Sequence, residues 1–225
     1  MKKGLFLALA MLLCFSMVVS AEGFKVEGGY LFGNETIGDN TLEIKGKANG
    51  FVISGQADIV DSFGAMVNFM SVKNSDFTMN GEKIPSDVEA SGNRFDLLAT
   101  YKLPIENIVV KAVGGYTFGT DKENFGADEY KFNNKGFLVG ATGDFAIIDK
   151  LTVSGLALFG IGVKSEDEAG EKEDLGLTTF KVSAAYEVMD NLAVEAGYLN
   201  NKLKDKGTDM KSTMSGFFFG ARASF

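Results

Sequence analysis

Histidine and tryptophan are absent from this chain, cysteine occurs once and proline twice. Histidine is the usual general base near neutral pH and the commonest metal ligand, so its absence removes most ordinary catalytic and metal-binding schemes. The single cysteine, Cys14, lies in a stretch that reads as an export signal. Lys2 and Lys3 form its charged end, Leu5 to Phe15 its apolar run, and Val19-Ser20-Ala21 its small-residue cleavage site. A lipoprotein reading of Cys14 needs a small residue before it, and Leu13 stands there. With residues 1–21 removed, residues 22–225 form one domain with no disulfide and no thiol chemistry. Beyond the signal, nothing approaches the roughly 18 uninterrupted apolar residues of a membrane helix. Positive charge is also scarce. The chain has 22 Lys and Arg against 30 Asp and Glu, and losing Lys2 and Lys3 leaves 20 against 30, which argues against nucleic acid as a partner.

What is abundant is glycine, phenylalanine and alternation: 28 Gly, 20 Phe and 6 Tyr. Phe180, Val182, Ala184, Tyr186 and Val188 alternate with Thr179, Lys181, Ser183, Ala185 and Glu187. Phe95, Leu97, Ala99, Tyr101 and Leu103 alternate with Arg94, Asp96, Leu98, Thr100 and Lys102. Stretches near 24–33, 51–60, 63–72, 108–118, 136–147, 151–163, 192–198 and 214–225 repeat the pattern. Period-two alternation marks strands with one apolar face. About ten residues is the length a tilted strand needs to cross a bilayer. Tight turns at Asp61-Ser62, Pro104 to Asn107, Ile148 to Lys150 and Met189 to Asn191 alternate with longer polar segments near 34–44, 73–93, 119–135, 164–177 and 200–213. This predicts an all-β fold, a closed antiparallel up-and-down transmembrane β-barrel of ten strands, with eight as the alternative count. Short turns and both chain ends fall on the periplasmic side.

Three other folds alternate too. Propeller blades pack four short strands into a repeat of roughly 42 residues, whereas two long ones occupy that length here. A lipocalin-like barrel is apolar inside, which leaves Lys25, Glu27, Lys181 and Glu187 without a place. A β-sandwich would send its mid-strand charges to solvent. Those charges are balanced: Lys25, Arg94, Lys102, Lys111, Lys181 and Arg222 against Glu27, Asp58, Asp96, Asp144, Glu187 and Glu195. Balance suits a narrow lumen, where opposite charges pair and like charges repel in little water. On the opposite face, Tyr30, Phe32, Tyr101, Tyr116, Phe118, Tyr186, Tyr198 and Phe225 sit near strand ends, as interfacial girdles require. Lipid leaves no edge unpaired, so the first strand must close on the last.

The tail "MSGFFFGARASF" carries Phe217, Phe219 and Phe225 on one face. It resembles the C-terminal assembly signal of bacterial outer-membrane proteins. "AYEVMDNLAVEAGYLNN" looks like the strand–turn–strand pattern of the OmpA/OmpX-like outer-membrane barrel superfamily. That resemblance spans the mature chain and is one of pattern. It implies a Gram-negative-type envelope, outer-membrane localisation, surrounding outer-membrane lipid, and insertion by the outer-membrane assembly machinery. It implies no particular activity. Enzymatic barrels such as the omptins rely on histidine, so no catalytic, cofactor-binding or metal residue is assigned. The acidic run "KSEDEAGEKEDLG" (Lys164–Gly176) lacks calcium-loop spacing and reads as a solvated loop able to bridge divalent cations to lipopolysaccharide phosphates. Loop 73–93 carries Phe77, Met79 and Ile84, which fold over the barrel mouth or meet a partner. Bulky Leu31, Met66, Leu98, Leu156, Leu158 and Phe218 fall on the lumen side. The expectation is a non-enzymatic surface barrel with a charge-paired, largely filled lumen and loops for structural, adhesive or ligand contacts. The alternative is a small porin-like channel for ions or solutes.

Overall fold

The computed structural model describes residues 23–39, 41–84, 88–105, 108–125 and 128–225. The expected export signal, with Cys14, lies outside the described residues, as does part of the turn at Pro104 to Asn107. Ten long strands follow one another: β1 (Lys25–Gly38), β2 (Glu43–Val60), β3 (Phe63–Met79), β4 (Val88–Lys102) and β5 (Val109–Phe125), then β6 (Asp128–Ile148), β7 (Leu151–Glu166), β8 (Lys172–Met189), β9 (Leu192–Asp205) and β10 (Lys211–Ser224). A two-residue strand, Glu82–Lys83, folds back on the end of β3 through an Asn80-Gly81 turn in which both residues have positive φ. Asn tolerates that conformation and Gly adopts it freely, which is why the pair sits there.

Each strand pairs antiparallel with its sequence neighbours, and β1 pairs with β10 from Lys25↔Ser224 to Gly38↔Lys211. The sheet is therefore a closed ten-stranded barrel with no edge. At the seam, Gly29 faces Gly220 and Gly33 faces Gly216, flanking the Leu31↔Phe218 pair. A Cβ on Gly216 would fall 2.5 Å from the Phe32 carbonyl oxygen. The bare backbone on either side leaves the lumen's space to two large side chains.

One aromatic residue in every strand marks a common level on the outer wall: Phe32, Phe51, Phe69, Phe95, Phe118, Phe137, Phe159, Phe180, Tyr198 and Phe217. Neighbours touch, with Phe95 and Phe118 ring centroids 5.0 Å apart and Tyr198 and Phe217 5.3 Å apart. From this ring to the tight turns, outward residues are apolar: Ile53, Leu97, Val139, Val182 and Val194 are exposed. Near the turns a second group includes Phe63 against Tyr101 at 5.0 Å and Phe24 stacked on Phe225 at 6.3 Å. An apolar band between two aromatic levels is the signature of a membrane-spanning wall. Beyond the ring, the next outward residue is Asn, Ser, Thr or Lys on every strand but β7. The membrane-spanning segments end at that ring.

The strands themselves do not end there. They run 14 to 21 residues, past the roughly ten that a bilayer crossing needs, and the segments expected as loops at 34–44, 73–93, 119–135, 164–177 and 200–213 are largely paired strand. Backbone hydrogen bonding continues above the apolar band. Only the hydropathy contrast between the faces disappears there, because the outward face turns polar while the inward face mixes carboxylates and amides with apolar side chains such as Val72, Leu175 and Met214.

Candidate functional site

The lumen divides into two parts. At the tight-turn end, charged side chains from seven strands converge. Glu27 on β1 accepts from Lys181 on β8 and lies 3.3 Å from the Arg222 guanidinium on β10, which also donates to Glu195 on β9 at 2.7 Å. Lys25 meets Asp144 at 3.0 Å, and Lys111 meets Asp58. Lys181 also lies 5.1 Å over the Phe218 ring. Arg222, Glu195 and Lys111 are at most 5% exposed. Charges this dry persist only when paired and hydrogen-bonded, and here each is. The void among Lys25, Glu27, Gln56, Lys181 and Ser183 is about 20 Å³, room for about one water. Leu31, Leu98, Leu158 and Phe218 are almost fully buried inside the barrel, and Leu156 packs, partly buried, on the cluster that contains Met66, Leu98 and Leu158.

Arg94 forms the next constriction, beside Phe95 of the aromatic ring. Its guanidinium clasps Asp96 through Nε at 2.8 Å and Nη2 at 3.0 Å, and donates from Nη1 to Thr179 and Asn201. Asp96 further accepts from Thr117 at 2.7 Å.

Ten of the twelve charges singled out from sequence thus meet in ion pairs. Lys102 and Glu187 do not. Lys102 is exposed at the end of β4 and Glu187 is half-buried at the end of β8, and neither has an ion-pair partner among the described residues. Both sit next to tight turns, where the lumen opens to water and imposes no pairing. Phe217, Phe219 and Phe225 lie exposed on the outer wall.

Above Arg94 the barrel opens into a cup of about 290 Å³. Its wall carries Glu35 from β1, Asn74 from β3, Asp121 and Glu123 from β5 and Asn134 from β6, with Glu173 and Asp205 toward the rim. Asn74 Nδ2 and Ser212 Oγ donate to Glu35, and Asn134 Nδ2 donates to Asp121 at 2.6 Å. Burial pushes the Glu35 and Glu123 carboxyls above the ordinary carboxylate range. Burial, reinforced by Glu35 and Glu123 and only partly offset by the Asn134 hydrogen bond and Arg94, pushes Asp121 up to about 6. Apart from Glu173, which falls in the acidic run Lys164–Gly176, none of these cup residues was singled out from sequence. The signal was present as alternation of charge rather than of hydropathy. In "TDKEN" (120–124) Asp121 and Glu123 point inward while Lys122 points outward.

Phe77, expected in a loop, is 5% exposed and packs inside the strand pair against Gly46, while Met79 stays exposed on β3. In the acidic run, Lys164 reaches Asp174 and Lys172 reaches Glu166. Among the described residues no group of three or more acidic side chains is placed to hold a metal ion.

No curated protein sequence matches the chain. Among solved structures, the outer membrane protease OmpT from Escherichia coli matches with a TM-score of 0.57 at 15% identity, over 92% of this chain and 98% of that one. The transport unit of the autotransporter AIDA-I from Escherichia coli matches at 0.50 and 13% identity, over 91% and 89%. The outer membrane protein OprG from Pseudomonas aeruginosa gives 0.46 at 10% identity, over 91% and 96%. At such identities the likeness to OmpT and AIDA-I is one of fold alone. The outer membrane protein beta-barrel domain family matches residues 6–158, more than half of the sequence, and the chain belongs to that family of outer-membrane β-barrels.

Proposed function

We propose that this protein is a non-enzymatic barrel of the outer-membrane surface, closed to through-flow, whose exterior-facing end makes its contacts. The observation that carries this reading is the paired charge layer around Glu27 and Arg222, where the void among Lys25, Glu27 and Lys181 is about 20 Å³. Moving an ion through it would break buried pairs whose separation costs several kcal/mol each. Absence of histidine supports the non-enzymatic part, since the carboxylates of the lower lumen are already committed to Lys and Arg. Residues 1–21 serve as an export signal cleaved after Ala21. The aromatic face of Phe217, Phe219 and Phe225 is read by the outer-membrane assembly machinery before it meets lipid. The extended strands and their short loops above the membrane are the surface offered to external ligands.

Planar-bilayer recording of the purified protein tests the closed lumen. The expected trace is flat, with only brief, irreproducible events. A steady, reproducible conductance would replace this reading with that of a small channel. Mass spectrometry of protein extracted from outer membranes tests the processing, with Glu22 expected as the first residue.

A further inference from the structure

The strands above the aromatic ring carry charge on both faces, and the two faces are built differently. Outward, each acid has a lysine beside it: Glu43 with Lys45 at 2.7 Å, Asp76 with Lys47 at 2.8 Å, Glu89 with Lys73 at 2.9 Å and Glu129 with Lys122 at 2.9 Å. Inward, Glu35, Asp121 and Glu123 have no Lys or Arg within 4.0 Å among the described residues. The nearby cation, Arg94, is spent on Asp96, Thr179 and Asn201. The exposed outer pairs contribute little stability. Lys122 and Lys211 border the cup as well, but Lys122 is paired with Glu129 and neither lies within ion-pair distance of Glu35, Asp121 or Glu123.

A second, independent feature points the same way. Asn74 is 6% exposed and gives its Nδ2 hydrogen to Glu35, which leaves its buried Oδ1 with no hydrogen-bond partner. Asn134 repeats the arrangement with Asp121, and its Oδ1 is also buried without a partner. The cup therefore holds two carboxylate–amide pairs, one from β1 and β3 and one from β5 and β6, each with acceptors left over. A buried acceptor without a donor is costly, so what fits here brings N–H donors and positive charge together.

A single metal ion does not match, because the carboxylates are dispersed around about 290 Å³ with no three placed to ligate one centre. An extended cation with separated donors does. We propose that the cup binds an aliphatic oligoamine, one ammonium seated at Glu35 and Asn74 and another at Asp121 and Asn134. Each ammonium has three donors, enough for a carboxylate and the unfilled amide oxygen beside it. The site rests on the closed-lumen reading, in that the Arg94 constriction gives the cup its floor.

Calorimetric titration of the full chain, in zwitterionic detergent at fixed ionic strength, uses spermidine as the probe. The expected result is saturable one-to-one binding. Glu35→Gln with Asp121→Asn should weaken it at least tenfold, while the equal charge loss Glu168→Gln with Glu171→Gln in the exposed 167–171 loop should change it less than twofold. Should the first double variant fail to give a folded barrel, Ala90→Arg provides the same reading. Ala90 lies opposite Glu123 on the inward face, and an arginine there fills the cup with a tethered cation, so binding should vanish. No saturable binding, equal weakening by both double variants, or displacement of spermidine by an equal concentration of Mg²⁺ would overturn the assignment. Bilayer recording of the same preparation separates the two readings. Conductance blocked by spermidine would refute the closed lumen and keep the amine site, whereas a silent barrel that ignores spermidine would refute the site alone.

Discussion

Below the aromatic ring and above it, the same ten strands solve opposite problems. Below, the outside must be apolar, so the mid-strand charges face inward, and away from the tight-turn rim they are paired: Glu27 with Lys181 and Arg222, Lys25 with Asp144, Arg222 with Glu195. Above, the outside is wet and the inside surrounds a cup. The outside pairs its charges in the open, and the inside gathers carboxylates that it leaves unpaired. In the packed lower lumen the partner is built in; where a cup of about 290 Å³ leaves room for solvent or a ligand, it is left out.

The largest expected effect breaks the lower half. Glu27→Ala strands Lys181 and weakens the hold on Arg222, and should cost about 3–5 kcal/mol, the usual penalty for orphaning a buried ion. Urea unfolding in phospholipid vesicles, followed by heat-modifiable migration on gels, measures it. A loss below about 1 kcal/mol would mean that the lower lumen is wetter than its packing indicates.

Next comes the outer wall. Ala141 lies mid-band on β6 with Ala112 and Ala157 as register partners, whereas Asn133 lies on the same face of that strand above the ring. Ala141→Arg should destabilise by about 2–4 kcal/mol, and Asn133→Arg by under about 0.5 kcal/mol. Similar costs at both sites would misplace the upper limit of the membrane.

A smaller effect, of opposite sign, belongs to the cup. Asp121 is raised from the usual 3.8 to about 6 by burial and by Glu35 and Glu123, with Arg94 pulling the other way. Between about pH 4 and 6 the folded protein then holds more of this proton than the unfolded chain. Its contribution is neutral at low pH and becomes unfavourable as pH rises through 6. Asp121→Asn should therefore be more stable than the wild type at pH 7.5, by about 1–2 kcal/mol after allowance for water in the cup, with the gap closing near pH 4. Unfolding curves of both proteins at the two pH values check this. A variant less stable at pH 7.5 would show that Asp121 is paired by something the unpaired cup does not contain.

The part of the barrel inside the membrane was legible because lipid and lumen impose opposite demands on neighbouring residues. Phe95 and Asp96, or Phe217 and Phe218 with its flanking glycines, announce their faces. The tight turns at Asp61 and Asn191 were legible for a similar reason, since both carry positive φ where a short connection demands it. The extensions were not. At Lys45-Gly46-Lys47 or Asp121-Lys122-Glu123 both faces are polar, hydropathy no longer alternates, and paired strand reads as loop. The cup was hidden with them, because its carboxylates and the asparagines bonded to them come from six strands whose upper ends had been taken for loops. The charge network of the lower lumen could be drawn up from sequence, but its partners could not. Glu27 reaches Lys181 across 154 positions, and only the tilt and closure of the barrel bring those two strands' side chains together. Lys102 and Glu187 have the same parity as the paired charges. What separates them is their distance from the tight-turn rim.

Thiol accessibility tests the two-part lumen most directly. The chain's one cysteine is Cys14, so in a Cys14→Ser background an introduced thiol is unique. Ala90→Cys lines the cup, and Ser183→Cys replaces a side chain 3% exposed beside Arg222. With a membrane-impermeant thiol reagent added outside intact cells, Cys at 90 should react completely within minutes while Cys at 183 stays unmodified until the barrel is unfolded. Labelling of both positions at comparable rates would contradict a lumen closed below and open above.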